Sequence, residues 1–448
     1  MSGWLFLLGW AATLADQLAG LRGAGAVAAV AVALYLALEA RRLRRAILVV
    51  GGALVLAGAA AALAAPDPPA ALLAGARRGA AYAAFFLALG ALRDAAEHSR
   101  TVRRCGAHLV SQPAGRRYLA VTGGAHLFSM ILSYGAIDLI GAMVARANAA
   151  RDDVRRLLMG AYRGFATMNC WSPLNIMTVV VGAAVPLADM RPLMPIGFAA
   201  AVLLMGAGAL VDHLGGGPAG RGAPAPREGW TIHLRILAIV ALVMAVAEAV
   251  ATGFAVSLAT GVTAAVPVVG VAWTLGQLRR RRHAGAMLLR RLRGFHARLP
   301  SFRGEATLLA ASGFLGVTLG MALPPGGLAG FMPQVPALLV PLAVPLALIA
   351  TSLLGLNPIA VVAIIGAAIP NPAALGVAPG VLALSCMLGW GVGVGMTPFS
   401  ASALATARWT GADPWRVTAD WNRAFTLAGL SIAWAVIALA HLALIPPA

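Results

Sequence analysis

Apolar residues run through this chain in blocks of about 18 or more, parted by short stretches where arginine, glycine or proline collects. Blocks of that length can cross a bilayer as helices. The pattern predicts spans near residues 3–19, 23–40, 45–65, 71–93, 157–187, 192–213, 229–250, 253–277, 304–322, 378–407 and 423–445. The chain is therefore expected to be an all-α polytopic membrane protein of about 11 spans.

Arginine sets the expected orientation, because short cytoplasmic loops carry an excess of it. Arg41 to Arg45, Arg100 to Arg117, Arg151 to Arg156, Arg221 with Arg227, Arg279 to Arg293, and Arg408 to Arg423 mark one face. The opposite connections, 66–69 and the Pro/Gly-rich 324–336, are poor in charge. This puts the N-terminus in the cytoplasm and the C-terminus in the periplasm. Arg77 and Arg78 fall on the wrong side for a loop, which leaves the start of the fourth span open.

Two apolar segments break the alternation. Segment 121–145 has arginine on both flanks, and segment 340–370 has uncharged, proline-rich flanks on both sides. Each is expected to be a re-entrant hairpin that enters and leaves on one face; a single kinked span is the alternative. The first would enter from the cytoplasm with its tip near Ser133-Tyr134-Gly135. The second would enter from the other face, with its tip near Gly355-Leu356-Asn357-Pro358.

A proline-broken span follows each hairpin. Gly164–Pro173 reads GFATMNCWSP and Gly389–Pro398 reads GWGVGVGMTP, so each apolar run ends in a hydroxyl residue and proline. The order hairpin then broken helix occurs twice with opposite orientation, as in an inverted-topology repeat. The expected halves are residues 1–211 and 230–448, joined by a Gly/Pro/Arg linker at 212–229.

Proline removes an intrahelical hydrogen bond and displaces a turn. The break frees carbonyls on one half-helix, which suit a cation, and N–H groups on the next, which suit an anion. Asn169, Ser172, Asn175 and Thr178 around Pro173 add neutral ligands in the first half. In the second half, Thr397, Ser400, Ser402 and Thr406 do so around Pro398, and Asn357 at the second hairpin tip; Ser133 stands at the first hairpin tip. The bland alternative is that these hydroxyls bond back to carbonyls of a kinked helix.

Ionisable groups inside spans are few and point to function by default. Asp138, among apolar neighbours in the first hairpin, is the candidate coupling residue, since desolvation would favour its protonated form. Glu248 suits an interfacial position, His126 is a weaker proton-relay candidate, and Arg163 suits either an anion contact or a cytoplasmic anchor.

Composition agrees with a membrane protein: 60% of residues are hydrophobic, 11% are charged, and mean hydropathy is +0.85. The net charge of +19 resides in loop arginines, so the expected neighbours are membrane lipids and not nucleic acid. The first segment lacks a basic leader and a small-residue cleavage site, and is expected to be retained as a span. Segment 283–298 is basic and amphipathic and should lie on the cytoplasmic membrane surface. Cys105, Cys170 and Cys386 are isolated and fit no metal spacing, so no metal or cofactor is expected. Without paired intramembrane acids or a nucleotide-binding loop, neither an enzyme nor direct ATP drive is expected. The expected function is secondary transport of a small anionic or polar solute, coupled to H+ or Na+. A channel or a membrane component of a larger complex is the alternative, with an intramembrane enzyme a less favoured one.

The arrangement resembles the ion transporter superfamily, which includes divalent anion/sodium symporters, citrate carriers and arsenite permeases. Those symporters have a Thr-Pro at the break of the second discontinuous helix, where Thr397-Pro398 stands here; Ser172-Pro173, followed by Asn175, looks like its counterpart. They carry Ser-Asn-Thr at both hairpin tips, where this chain has Ser133-Tyr134-Gly135 and Leu356-Asn357-Pro358. The resemblance implies an elevator-like movement of the hairpins and broken helices, a homodimer, and a bacterial inner-membrane location.

Overall fold

A computed structural model of the chain describes residues 2–146, 151–215, 229–279, 281–324, 327 and 335–443. The described residues form nineteen α-helices and no strands. The first four are α1 (Ser2–Ala19), α2 (Ala24–Glu39), α3 (Arg45–Ala64) and α4 (Pro68–Glu97), followed by the amphipathic α5 (Arg100–Val110). A helical hairpin, α6 (Ala114–Leu132) and α7 (Gly135–Arg146), precedes a broken helix, α8 (Arg151–Met168) and α9 (Ile176–Ala184); α10 (Leu193–Leu214) ends this half. The second half runs α11 (Thr231–Gly253), α12 (Leu258–Leu278), the amphipathic α13 (Ala284–Arg298) and α14 (Arg303–Ala322). A second hairpin, α15 (Leu339–Leu353) and α16 (Pro358–Ala368), leads to a second broken helix, α17 (Pro379–Val394) and α18 (Ala401–Thr410), and then α19 (Arg423–Ala443).

Among the described residues, eight helical segments are long and apolar enough to cross a membrane: those of α2, α3, α4, α10, α11, α12 and α19, and the continuous stretch Ala284–Ala322. This is fewer than the eleven spans expected. The two broken helices account for part of the difference, because neither is one continuous apolar helix. Arg221 and Arg227, with most of the 212–229 linker, and most of the 324–336 connection lie outside the described residues.

Both odd segments turn back on themselves. The first turns at Ser133, which takes φ 53°, a left-handed conformation rarely adopted by a residue with a side chain. The second turns at Gly355, φ 82°, where glycine carries no steric cost.

The two hairpin–broken-helix modules pack reciprocally. In each, the first hairpin arm lies along the long half of its own broken helix, α6 on α8 and α15 on α17. Each second arm also meets the short half-helix of the other module, α7 on α18 and α16 on α9, although α7 keeps an extensive contact with its own α8 as well. The closing helices α10 and α19 also pack on each other. Small residues permit the close crossings. A Cβ on Gly164 would fall 2.3 Å from the Thr122 carbonyl oxygen between α8 and α6, and one on Gly366 would fall 2.3 Å from that of Ala184 between α16 and α9.

The flanking helices α3, α4, α12 and α14 form a bundle against which the modules rest, chiefly through α14 on α16 and α4 on α6 and α9. α4 starts where Asp67 Oδ1 accepts the Ala70 N–H at 3.0 Å, with Pro68 and Pro69 in the first turn. Arg77 and Arg78 therefore lie inside this helix and not in a loop. Arg77 Nη2 donates to both carboxylate oxygens of Asp16, at 2.8 and 2.7 Å.

Candidate functional site

The first break spans residues 169–175 and is closed by its own side chains. Asn169 Nδ2 donates to the Phe165 carbonyl at 2.8 Å, and Asn175 Nδ2 donates to Asn169 Oδ1 at 2.8 Å. Asn175 Oδ1 accepts the Met177 N–H at 2.9 Å and so caps α9. Thr178 Oγ1 donates to the Ser172 carbonyl at 2.6 Å, and Ser172 Oγ accepts the Leu174 N–H at 3.3 Å. Ser172 and Pro173 are buried.

The second break spans residues 395–400. Ser400 Oγ caps α18 by accepting the Ala403 N–H at 3.1 Å and contacts Ser402 Oγ at 3.0 Å. Thr397 Oγ1 accepts the Phe399 N–H at 3.3 Å beside the buried Pro398. Thr406 Oγ1 donates to the Ser402 carbonyl at 2.9 Å. The carbonyls at the end of α17 are also occupied: Tyr162 Oη donates to Val394 O at 2.8 Å and Asn422 Nδ2 donates to Gly395 O at 2.8 Å. The expectation of free backbone ends at the breaks thus needs correction. Helix ends buried in protein recruit side-chain caps, and here they have them.

The space between the breaks is filled rather than open. Contacts of Tyr162 with Val394 and of Ala166 and Cys170 with Gly391 show that α8 and α17 run antiparallel. The breaks are therefore offset along the pair. A Cβ on Gly391 would fall 2.4 Å from Cys170 Sγ.

An open volume lies instead where the first hairpin tip and the first break face α4. A cavity of about 60 Å³ is lined by Arg93 of α4, Ser129 and Met130 of α6, Ser133 and Tyr134 at the tip, and Leu174 and Asn175 at the break, with Phe302 closing one side. That is enough for a few waters or a small polar group. Ser129 Oγ is buried and has no hydrogen-bond partner among the described residues. The guanidinium of Arg93 lies 4.7 Å from the Tyr134 ring centroid, and its Nε donates to Glu97 at 3.0 Å. Tyr134 Oη donates to Glu305 at 3.4 Å. The Arg93 guanidinium and the hydroxyls of Ser129 and Ser133 face one small volume and suit a small anionic or polar group, while the Asn175 amide and the Tyr134 hydroxyl are already committed to Asn169, Met177 and Glu305.

Of the residues singled out from sequence, Ser133 and Asn175 meet at this cavity. Asn169, Ser172 and Thr178 build the turn behind it. Thr397, Pro398, Ser400 and Ser402 form a second cluster, where the Phe399 ring lies 3.5 Å from the Cβ position of Gly355 at the second hairpin tip. Asn357 caps α16 through the Ile359 N–H at 3.0 Å.

Asp138 is not the isolated carboxylate that its apolar neighbours in sequence suggested. Its Oδ1 accepts from Arg408 Nη2 at 2.9 Å and from Trp409 Nε1 at 2.8 Å, and its side chain is 37% exposed. Helix packing of α7 on α18 supplies an ion pair from 270 residues away, which local sequence cannot show. His126 is neutral by geometry: Nε2 accepts the Trp171 indole N–H at 3.0 Å, which leaves Nδ1 to donate to Thr167 Oγ1 at 3.0 Å. Glu248 is half-buried and paired with Arg191 at 2.9 Å.

Arg163 does more than anchor a helix end. It is 4% exposed and all of its hydrogen-bond partners are neutral: Asn422 Oδ1 at 2.9 Å, Tyr118 Oη at 2.9 Å, Trp421 O at 3.0 Å and Gly208 O at 3.4 Å. Asn422 relays it to Gly395 at the second break, so one α8 residue supports both halves. Sequence reasoning passed over Arg93 and Asn422, because each abuts a charged helix end and reads as an ordinary flank.

No protein-family model and no curated protein matches this sequence. Among solved structures, the chain is similar to the crystal structure of the Alcanivorax borkumensis YdaH transporter, which is described as having an unusual topology. The TM-score is 0.50 at 16% sequence identity, over 80% of this chain and 85% of that one. The likeness is one of fold.

Proposed function

We propose that this protein is a secondary transporter of a small anionic or polar solute in the bacterial inner membrane. The reciprocal packing of the two hairpin–broken-helix modules carries the reading. Two modules of the same element order, each of whose second arms reaches the short half-helix of the other, suit an inverted-topology repeat, with the first hairpin entering from the cytoplasm and the second from the periplasm. Likeness in fold to a solved transporter supports the same reading, as does the resemblance to the ion transporter superfamily. On this view the solute's polar end binds at the first hairpin tip, among Arg93, Ser129, Ser133, Tyr134 and Asn175. The modules move as an elevator against α4 and α14, driven by an H+ or Na+ gradient, in a homodimer.

A thermal-shift screen of small anions identifies the solute, and counterflow in proteoliposomes then tests the function. A carrier accumulates labelled solute against a large internal pool of the unlabelled one. Labelled solute that only equilibrates means a channel, and no solute movement at all removes the transporter reading.

A further inference from the structure

Arg78 lies ten positions beyond Pro68, the first residue of α4, or about 15 Å along the helix. Its neighbour Arg77 is neutralised by Asp16. Arg78 itself is exposed and has no hydrogen bond or ion pair with any described residue. It lines a cavity of about 190 Å³ between α4, α14 and the ends of α9 and α16. No aspartate or glutamate lines that cavity. Ser312, which also lines it, is fully buried, and its Oγ has no partner among the described residues. Gly316, Gly320 and Gly366 leave the volume open, since none projects a side chain into it.

An arginine within an apolar spanning helix is costly, and such residues face protein interiors or water-filled cavities and mark ion or solute sites. Its planar fork of donors matches carboxylate and phosphate oxygens. We propose that the Arg78–Ser312 cavity is a binding site for a small soluble anion, a carboxylate or inorganic oxyanion, with Arg78 pairing its charge and Ser312 Oγ donating a hydrogen bond. The cavity is well below the roughly 300–1,000 Å³ of drug-sized pockets, which sets the size of the occupant. The site shares no lining residue with the hairpin-tip cavity and lies about 22 Å from Arg93 along α4. It stands whether or not the occupant is the transported solute.

The test uses the full chain in phosphatidylcholine nanodiscs, titrated with succinate and, separately, inorganic phosphate, and read as melting temperature against concentration. The wild type should show a saturable rise with at least one anion. Arg78→Gln should weaken the apparent affinity about tenfold or more, and Ser312→Ala about threefold to tenfold. Arg78→Lys should fall between wild type and Arg78→Gln, while Arg77→Gln should stay within about twofold of wild type. Should Arg78→Gln not fold, Ser312→Ala and Arg78→Lys decide the matter. Equal affinity in wild type and Arg78→Gln overturns the proposal, as does a response lost in Arg93→Gln but kept in Arg78→Gln. Absence of any response to either soluble anion also overturns it; a rise seen only when phosphatidylglycerol replaces phosphatidylcholine would make Arg78 a lipid-headgroup contact.

Discussion

The Arg93 guanidinium carbon lies 4.7 Å from the centroid of the Tyr134 ring, so the first hairpin tip is held to α4 by a cation–π contact. The same tyrosine's hydroxyl reaches Glu305 on α14. Two flanking helices thus grip one turn of the chain, at the rim of the candidate cavity. Contacts of this kind contribute about 0.5–2 kcal/mol, depending on desolvation. Tyr134→Leu is expected to loosen the tip and speed proteolysis near residue 134, while Tyr134→Phe keeps the ring contact and protects it. Arg93→Gln is expected to weaken solute binding about tenfold, measured by thermal shift with the identified solute. Unchanged binding in Arg93→Gln would move the site elsewhere.

Arg163 is expected to be a stability residue of the modules. Arg163→Ala orphans Asn422 and Tyr118 in a buried setting, at about 1–3 kcal/mol for each unsatisfied group. Arg163→Lys should rescue poorly, because one ammonium cannot reach four acceptors set in a fork. The measurement is the melting temperature in detergent, and a Lys variant as stable as wild type would contradict this role.

Asp138 is expected to act as a tie between α7 and α18, not as the coupling residue. Asp138→Arg alone places like charges beside Arg408 and should lower stability, and the exchange Asp138→Arg with Arg408→Asp should recover much of the loss. Accumulation driven by an imposed pH gradient should persist in Asp138→Asn. Loss of coupling with full stability would restore the carboxylate to a transport role.

Much of the helical order was legible because long apolar blocks leave little choice at membrane depth: predicted spans such as 45–65 and 192–213 match α3 and α10 within two residues at each end. The turns at Ser133 and Gly355 were legible from flanking charge and turn residues. The site was less so. Asp138 finds Arg408, and Arg163 finds Asn422, across more than 250 positions, and no local pattern encodes such pairs. The break residues looked like ligands because they are polar in an apolar run, yet the same property makes them helix caps: Asn175 and Ser400 satisfy N–H groups that proline and the displaced turn leave behind.

Asn175 is the break residue expected to matter in two ways. Asn175→Ala removes an α9 cap, costing about 1 kcal/mol, and removes an amide from the cavity lining. Ser172→Ala removes only a local turn contact. Asn175→Ala should therefore weaken solute binding more than Ser172→Ala does, at comparable expression; the reverse order in a thermal-shift titration would place the solute on the other side of the break.

The proposed transport requires the two hairpins to enter from opposite faces of the membrane, since alternating access by paired modules depends on it. Single cysteines at the exposed Arg116 and Arg146 flank the first hairpin, and ones at the exposed Pro336 and Asn371 flank the second. The background is a chain with its three buried native cysteines replaced. Labelling of intact cells with a membrane-impermeant maleimide, before and after permeabilisation, reads the side of each. Arg116 and Arg146 should both label only after inner-membrane permeabilisation, and Pro336 and Asn371 should both label in cells whose outer membrane alone is opened. Opposite-side labelling within either pair, or all four on one side, would contradict the account.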